Sequence, residues 1–297
     1  MLKRPSSFDN IIGQHTVVER LKISTLGCLK SKSPLPHVLI DGPPGLGKTT
    51  MACAIANEMG TNLYIANAAN LRSVKNVLSY LLRLTRDSVF FIDEIHRLPK
   101  LVEEFLYPVM EDFKINIVLD KEPEEIDIPP FTLVGATTSG GSLSQPFYDR
   151  FQIKEHLSFY NNDDLAKLAG LNAQQLGLMI SDSDLLEIAK RSKGTPRILN
   201  ARLQWYKNYI MSQESDPVTD VDTIFNLQGI DKNGLDVYDR VYLDVLKTNR
   251  GNPLGLKSIS SLTGIAVETI ENSIEPYLVR QGFVKRTQKG RIIGNYV

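Results

Sequence analysis

Cysteine, long apolar runs and net charge are what this chain has least of. Its 297 residues include two cysteines, Cys28 and Cys53, too few for a disulfide framework or a cysteine-based metal site. No apolar stretch approaches the ~18 residues of a membrane span, and the N-terminus has no apolar segment typical of a secretory signal. The four histidines show no metal-ligand spacing. These absences predict a cytoplasmic location.

Charge is balanced, with 34 basic and 34 acidic residues, which argues against a protein that coats nucleic acid with its whole surface. The composition, 42% hydrophobic and 23% charged, is that of a globular protein with room for two or three domains. The C-terminal end is locally basic and carries no acid. Its basic residues are Arg280, Lys285, Arg286, Lys289 and Arg291. Because such a run is often only solvated, it leaves nucleic-acid binding open.

The segment Gly42–Thr49 fits the pattern G-x-x-x-x-G-K-[ST] of a phosphate-binding loop. It follows an apolar stretch that predicts a strand and precedes one that favours a helix. The glycines let backbone N–H groups turn onto phosphate oxygens, and the helix N-terminus adds partial positive charge. Lys48 can then reach the β- and γ-phosphates, and Thr49 can ligate Mg²⁺. A chance glycine-rich turn is the alternative, against which the strand–loop–helix context argues.

A second apolar run, Ser88–Ile92, ends in Asp93 and Glu94, as a buried parallel strand facing the nucleotide would. Asp93 would hold the water shell of Mg²⁺, and Glu94 would polarise the water that attacks the γ-phosphate. Thr138 ends another strand-like run and could face the same phosphate, although a threonine that merely ends a strand is equally common. The two motifs together predict a nucleoside triphosphatase.

Two arginines stand where an assembled ATPase would need them. Arg150 lies near the end of the α/β part of the chain, in the region where a ring-forming ATPase presents an arginine to its neighbour's nucleotide. Without that context it would be an ordinary surface arginine. Arg197 begins a predicted helix, where the helix dipole favours anions rather than cations. That misplacement favours a functional task such as reaching bound phosphates.

The order of patterns predicts three domains, 1–158, 159–230 and 231–297. The first alternates strand-like and helical stretches, which predicts an α/β fold with a mainly parallel sheet. The second is helical, with Ser181 or Asp182 as a candidate cap, and 213–236 resembles a link to the third. The predicted strands are 37–41, 62–66, 88–93 and 131–136, and the predicted helices are 162–175, 182–191 and 196–212.

The third domain has helices followed by two short strands that can pair around Gln288-Lys289-Gly290, the order of a winged helix. Backbone contact with DNA through the wing is expected from Lys285, Arg286, Lys289 and Arg291. Base reading by the preceding helix is disfavoured by its acids, Glu268, Glu271 and Glu275. A small protein-docking domain is the alternative.

These residues together resemble the RuvB family, AAA+ motors that drive Holliday-junction branch migration in bacteria. The resemblance runs over nearly the whole chain. Besides the two nucleotide motifs, it includes Arg4-Pro5, Ile11–Gln14, Ile95–Leu98, Gly135–Thr138, Asp149–Phe151, Gly194–Ile198 and Glu275–Leu278. It implies an AAA+ fold with a small helical lid and a C-terminal winged helix.

The resemblance also implies roles. Lys48, Asp93, Glu94, Thr138, Arg150 and Arg197 would act on ATP, with Arg150 serving a neighbouring subunit and Thr49 and Asp93 holding Mg²⁺. The residues expected to contact the nucleotide are Arg4, Ile11, Ile12, Gly42, Gly45, Leu46, Gly47, Lys48, Thr49, Thr50, Tyr160 and Arg197. The resemblance further implies that the protein works as a hexameric ring on duplex DNA. RuvA would recruit this ring to the junction during recombination and repair.

The chain departs from the family pattern at Ser139 and Tyr148, where arginines are usual, and at Gln152, where glycine is usual. The segment 114–130, which matches the partner-docking hairpin, is shorter and more acidic, which leaves docking of a RuvA-like partner open. The chain also starts and stops early. Two other functions therefore stay open: a clamp-loader-like ATPase, and a regulatory protein that binds DNA under ATP control without moving along it.

Overall fold

The computed structural model describes residues 2–119, 122–213, 220–249 and 251–294. The chain divides into two compact units, Met1–Tyr160 and Asn161–Val297. The first boundary lies close to the predicted domain end at 158, while the predicted boundary at 230 falls inside the second unit. The division into three domains stays a prediction. No helix of the described ranges is long and apolar enough to cross a membrane.

The first unit is built on a parallel sheet. Its strands are β1 (Val38–Asp41), β2 (Leu63–Asn67), β3 (Val89–Asp93), β4 (Lys114–Leu119), β5 (Glu122–Asp127), β6 (Thr132–Thr137) and β7 (Ile153–His156). Five of them form one sheet in the order β2-β3-β6-β1-β7, with every pair parallel. The four predicted strands are confirmed to within one residue at each end.

Helices cover both faces of this sheet. They are α1 (His15–Ser31), α2 (Lys48–Glu58), α3 (Val74–Leu81), α4 (Lys100–Glu111) and α5 (Gln145–Asp149). Leu39 and Phe90 enter a core with α3 and α4, whereas Ile40 and Phe91 enter a second core with α1 and α2. Because neighbouring strand residues point to opposite faces, a strand covered on both sides is apolar throughout. This is the pattern from which the central strands are predicted.

Strands β4 and β5 form a separate antiparallel hairpin, in the segment predicted to dock a partner. Ile115 pairs with Ile126 across it. Ile115 is buried, and Ile117 and Ile126 pack half-buried against the core that contains α4. The hairpin is thus anchored by one apolar face, while residues 120 and 121 lie outside the described ranges.

The second unit begins with helices α6 (Asn162–Leu176), α7 (Asp182–Lys190), α8 (Pro196–Ser212) and α9 (Val221–Asn226). The three predicted helices are confirmed, and Ser181 caps α7 by accepting the N–H of Asp184 at 3.2 Å. The segment 213–236, expected to carry the link to the third domain, contains α9, whose Ile224 and Phe225 are buried. Residues 214–219 of that segment lie outside the described ranges.

A winged helix completes the second unit, as predicted. It consists of α10 (Val237–Thr248), α11 (Leu256–Thr263), α12 (Val267–Thr269), a π-turn (Ile270–Ile274), α13 (Glu275–Arg280), β8 (Val284–Thr287) and β9 (Gly290–Ile293). The strands form the antiparallel wing. Its core includes Tyr242, Leu246, Ile259, Ile270 and Leu278.

Candidate functional site

The phosphate-binding loop leaves β1 through a position that only glycine can fill. Gly42 has φ +143°, and a Cβ there would lie 2.5 Å from the carbonyl oxygen of Leu157. Its N–H donates to the carbonyl of Thr137 at 3.2 Å, which ties the loop to β6. Gly45 and Gly47 also have positive φ. Leu46 between them is fully buried and anchors the loop.

Lys48 begins α2 and lies inside the curve of this loop. Its side-chain ammonium donates to the carbonyl oxygens of Gly42 at 2.7 Å and Pro43 at 3.1 Å. Thr49 and Thr50 follow, half-buried, in the first turn of the helix. The ammonium and the positive end of the helix dipole thus converge on one cradle, which suits the phosphates of a nucleotide.

The acidic pair ends β3 where the chain turns sharply. Glu94 has φ +51°, and its N–H donates to Asp93 Oδ1 at 3.1 Å. Glu94 Oε2 accepts the Thr138 hydroxyl at 3.0 Å and lies 3.3 Å from Nδ1 of His96. Because β6 lies between β1 and β3, Thr138 stands between the phosphate-binding loop and the acids.

His96 is a site residue whose role the sequence left open. Its Nδ1 lies 2.9 Å from the hydroxyl of Thr137 and close to the same Glu94 oxygen that Thr138 contacts. Two side chains therefore fix the direction of the Glu94 carboxylate. In contrast, His37 is a structural residue, since its ring bridges the carbonyl of Met110 and the N–H of Leu133, and burial lowers its pKa.

The oxygen donors near the loop fit a magnesium ion. Among the described residues, no group of three or more His, Cys, Asp or Glu side chains could hold a metal by itself. Mg²⁺ needs no such cage, because it keeps several waters and takes one or two protein oxygens together with substrate phosphates. The Thr49 hydroxyl and the Asp93 carboxylate are hard oxygen donors of this kind.

The residues expected to contact the base of the nucleotide are held in place by a separate set of contacts. Ile11 and Tyr160 pack half-buried against the core that contains α2. The Gln14 amide exchanges two hydrogen bonds with the backbone of Ser158, at 2.5 and 3.2 Å, and so joins the two segments. Glu58 at the end of α2 accepts the Ser7 hydroxyl at 2.6 Å. Ile12 is half-buried, and Arg4 is exposed.

Neither Gln14 nor Glu58 is given its structural role by the sequence, because each acts through a partner far along the chain. Two of the departures from the family pattern also have structural partners. Gln152 accepts the N–H of His37 at 3.1 Å through Oε1. The ring of Tyr148 lies 4.1 Å from the ammonium of Lys154. Ser139 is exposed.

The two arginines expected to act on ATP lie in different units. Arg150 follows α5 in the first unit, with a side chain that is 20% exposed and paired with Glu111 at 3.2 Å. Arg197 lies in the second unit, exposed in the first turn of α8. The structure therefore places Lys48, Asp93, Glu94 and Thr138 in one unit, at the same edge of the sheet. Arg150 is paired with Glu111 elsewhere in that unit, and Arg197 is exposed in the second unit.

In the winged helix, a buried carboxylate organises the wing. Glu275 is fully buried, and its Oε1 accepts the Tyr242 hydroxyl at 2.8 Å and Nε of Arg291 at 2.8 Å. Its Oε2 lies 2.7 Å from Nη2 of Arg286. Burial, together with the nearby Glu275 charge, raises the pKa of Tyr242. Glu275, one of the three acids of the predicted recognition helix, is thus the buried counter-charge of two wing arginines.

The basic residues near the C-terminus differ in how far their side chains are exposed and in what they contact. Lys285 and Lys289 are exposed on the wing, and Arg286 is half-exposed. Arg291 is only 18% exposed. Arg280 turns away from the wing and donates to the carbonyl of Lys193 at 2.9 Å. Burial lowers its pKa. The guanidinium of Arg280 therefore contacts the rest of the second unit although the residue is exposed, and Lys285, Arg286 and Lys289 are exposed basic residues of the wing.

The parallel sheet, the phosphate-binding loop, the acids at the end of β3 and the winged helix define an AAA+ ATPase with a DNA-binding type of accessory domain. The sequence matches three family descriptions in succession. They are "Holliday junction DNA helicase RuvB P-loop domain" over residues 3–157, "RuvB AAA lid domain" over 160–231 and "RuvB C-terminal winged helix domain" over 232–296. The chain belongs to the RuvB family.

Relatives support this over nearly the full length. The chain is 42% identical to the Holliday junction branch migration complex subunit RuvB of Rhodopirellula baltica, covering 97% of this chain and 81% of that protein. It is 40% identical to the protein of the same name from Fusobacterium nucleatum, covering 98% and 90%. The solved Thermotoga maritima RuvB Holliday junction branch migration motor is 39% identical, with a TM-score of 0.88 over 98% of this chain and 95% of that one.

Proposed function

We propose that this protein is an ATP-driven motor that moves Holliday junctions along DNA during recombination and repair, working as a hexameric ring on duplex DNA. The observation that carries the proposal is the intact nucleotide site, Lys48 with Asp93, Glu94 and Thr138, in a chain that matches RuvB domains along its length. The observed wing favours this function over a clamp-loader-like ATPase.

ATP would lie in the cradle of Gly42–Thr49. Lys48 would exchange its loop carbonyls for phosphate oxygens, and Thr49 and Asp93 would hold Mg²⁺, the latter through water. Bound there, Mg²⁺ would neutralise charge on the transferred phosphoryl group. Glu94, aimed by Thr138 and His96, would orient and deprotonate the attacking water.

The remaining nucleotide contacts belong to the same proposal. Ile11, Ile12 and Tyr160 would enclose the base, with Arg4 near it. Gly45, Leu46, Gly47 and Thr50 would complete the phosphate cradle. Arg197 would reach the phosphates from the lid, and Arg150 would act on the nucleotide of a neighbouring subunit. Hydrolysis would therefore depend on assembly, because each complete site needs a second copy of the chain.

DNA would be held through its backbone by the wing. Lys285, Arg286 and Lys289 offer positive charge to phosphates, and such contacts position a protein without reading sequence. Arg291 would support the wing from inside. The β4–β5 hairpin would dock a RuvA-like junction-binding protein, with acidic side chains that call for a basic partner surface. The proposal also includes three domains, with the bounds 1–158, 159–230 and 231–297. It includes a cytoplasmic location.

A branch-migration assay on a synthetic four-way junction tests this function. With ATP, the protein should convert the junction into two duplexes, and Glu94→Gln should bind ATP and DNA without doing so. If ATP and DNA bind but strands do not move under any loading condition, the regulatory function is the better one. ATP hydrolysis that no DNA affects, without strand movement, would refute the motor altogether.

A further inference from the structure

We infer that helix α4 positions Arg150 for its action on the neighbouring nucleotide, through the ring of Tyr107 and the carboxylate of Glu111. The inference rests on the proposed role of Arg150 and adds the residues that aim it. The guanidinium of Arg150 is centred 4.0 Å from the centroid of the Tyr107 ring. Its Nη2 lies 3.2 Å from Glu111 Oε1, and its Nη1 donates to the carbonyl of Pro146 at 2.7 Å.

These contacts fix both the plane and the rotation of the guanidinium. Stacking on the Tyr107 ring sets the plane. The contacts of the two terminal nitrogens set the rotation, and each terminal nitrogen has a second N–H that can meet a phosphate oxygen. Nε of Arg150 is buried and has no hydrogen-bond partner within the described ranges. An arginine that leaves a buried donor unpaired is held by its surroundings rather than by its own best hydrogen bonding.

The same face of α4 also holds the start of α5. Glu103, one turn before Tyr107, is buried and accepts the Ser144 hydroxyl at 2.7 Å. The Tyr107 hydroxyl lies 3.2 Å from the same Ser144 oxygen. Glu103, Tyr107 and Glu111 are spaced four residues apart and so share one helix face. Both ends of α5 are therefore set against a single row of α4 side chains, and Arg150 is the residue at the far end.

The expected effect of losing Glu111 on ATP turnover is much larger than its expected effect on folding stability. The Glu111 side chain is 55% exposed, and exposed ion pairs contribute little to folding. An arginine supplied in trans is worth roughly 10³–10⁵ in turnover, and a 1 Å misplacement of a reacting group costs roughly 10²-fold. Loss of Glu111 should therefore change catalysis far more than stability.

The test compares Glu111→Gln and Tyr107→Leu with Glu104→Gln, a matched control. Glu104 lies on the same helix with a side chain 51% exposed, and it pairs with Lys100 rather than Arg150. We expect the two variants to lower kcat of DNA-stimulated ATP hydrolysis about 10- to 100-fold. ATP affinity and thermal unfolding temperature should change little for Glu111→Gln. The Glu104→Gln control should match the unmodified protein.

A mixing experiment distinguishes positioning from structural damage. Glu111→Gln subunits keep an intact nucleotide pocket, and Glu94→Gln subunits keep a correctly aimed Arg150. Where the two kinds of subunit meet, one complete site can form. Mixed rings should therefore hydrolyse more ATP than the sum of the separate variants, and Arg150→Ala subunits should be rescued by Glu94→Gln in the same way.

The outcomes separate the inference from the function beneath it. If Arg150→Ala keeps full turnover, the trans role of Arg150 fails and the inference fails with it. If Arg150→Ala is inactive but Glu111→Gln and Tyr107→Leu turn over normally or faster, only the positioning inference is overturned. Inactive Glu111→Gln subunits that Glu94→Gln cannot rescue would also overturn it, since the defect would then lie in their own pocket or fold.

Discussion

Replacing Lys193 by methionine removes one half of a buried ion pair in the second unit. The Lys193 side chain is 6% exposed, and its ammonium contacts the carboxylates of Asp239 and, at 3.2 Å, Asp236. Asp239 is fully buried, and its Oδ2 also accepts the N–H of Asp236 at 2.8 Å. Its Oδ1 has no hydrogen-bond partner within the described residues. The carboxylate thus depends on Lys193 for its counter-charge.

The expected loss follows from this imbalance. Removing one partner of a buried ion pair typically costs about 3–5 kcal/mol, because the other charge stays buried without compensation. Methionine keeps most of the apolar stem, so little of the loss comes from a cavity. Replacing Asp239 by asparagine as well removes the stranded charge and keeps an acceptor for the N–H of Asp236. The double variant should therefore be more stable than Lys193→Met by at least about 1 kcal/mol.

Urea unfolding followed by tryptophan fluorescence measures this loss. Trp205 is the only tryptophan of the chain and lies on α8 in the second unit, with its Nε1 donating to the carbonyl of Ile224 at 3.1 Å. Its signal therefore reports the unit that contains the substitution. A Lys193→Met loss below about 1 kcal/mol, or further destabilisation on adding Asp239→Asn, would refute the reasoning.

The pH dependence of the unfolding free energy of Lys193→Met is an independent test of the same ion pair. Burial raises the pKa of Asp239 even with Lys193 present, and loss of the ammonium should raise this pKa further. A carboxyl group with a raised folded-state pKa binds more protons folded than unfolded, so stability falls as pH rises through that pKa. The unfolding free energy of Lys193→Met should therefore increase from pH 7 toward about 4, the unfolded-state pKa. The double variant should lack this increase.

Three further substitutions test the phosphate cradle and the wing. Gly42→Ala should abolish ATP binding, because its Cβ would meet a main-chain carbonyl at 2.5 Å and its φ is +143°, whereas Gly27→Ala, with open space around it, should bind ATP normally in the same titration. Lys289→Gln should weaken duplex binding and reduce its log–log salt slope by about 1. Arg291→Gln should mainly lower the unfolding temperature, since Arg291 pairs with buried Glu275, and a salt slope reduced as much as for Lys289→Gln would show direct DNA contact instead.

Much of the fold could be predicted from the sequence because its signals are local. The central strands are apolar runs, the phosphate-binding loop is a contiguous motif, and the helices of the second unit follow the 3.6-residue period. Strand β7 is missed because only Ile153 is apolar in Ile153-Lys154-Glu155-His156, so the segment has neither an apolar run nor an alternating pattern. Its Glu155 is nevertheless buried, paired with Arg20 from α1. No local pattern indicates a partner that far along the chain.

In the candidate site, too, the residues of short motifs are predicted from the sequence and the residues held by distant partners are not. Lys48, Asp93 and Glu94 are predicted because their motifs are short and their chemistry needs that spacing. The structural roles of the acids that hold α5 and the wing are missed, because an acid on a helix usually faces solvent. Glu103 and Glu275 are buried acids with hydroxyl or guanidinium partners contributed by other elements. Their burial follows from tertiary pairing, which periodicity does not encode.

In the proposed motor, ATP turnover at the Gly42–Thr49 site is spent on moving duplex DNA. The most direct measurement follows ATP hydrolysis and junction movement in one reaction, on a synthetic four-way junction with fluorescent arms. The proposal predicts that both rates rise together with protein concentration and that Glu94→Gln stops both while nucleotide and DNA stay bound. Rapid ATP hydrolysis with a stationary junction, or a junction that moves equally well with Glu94→Gln, would contradict it.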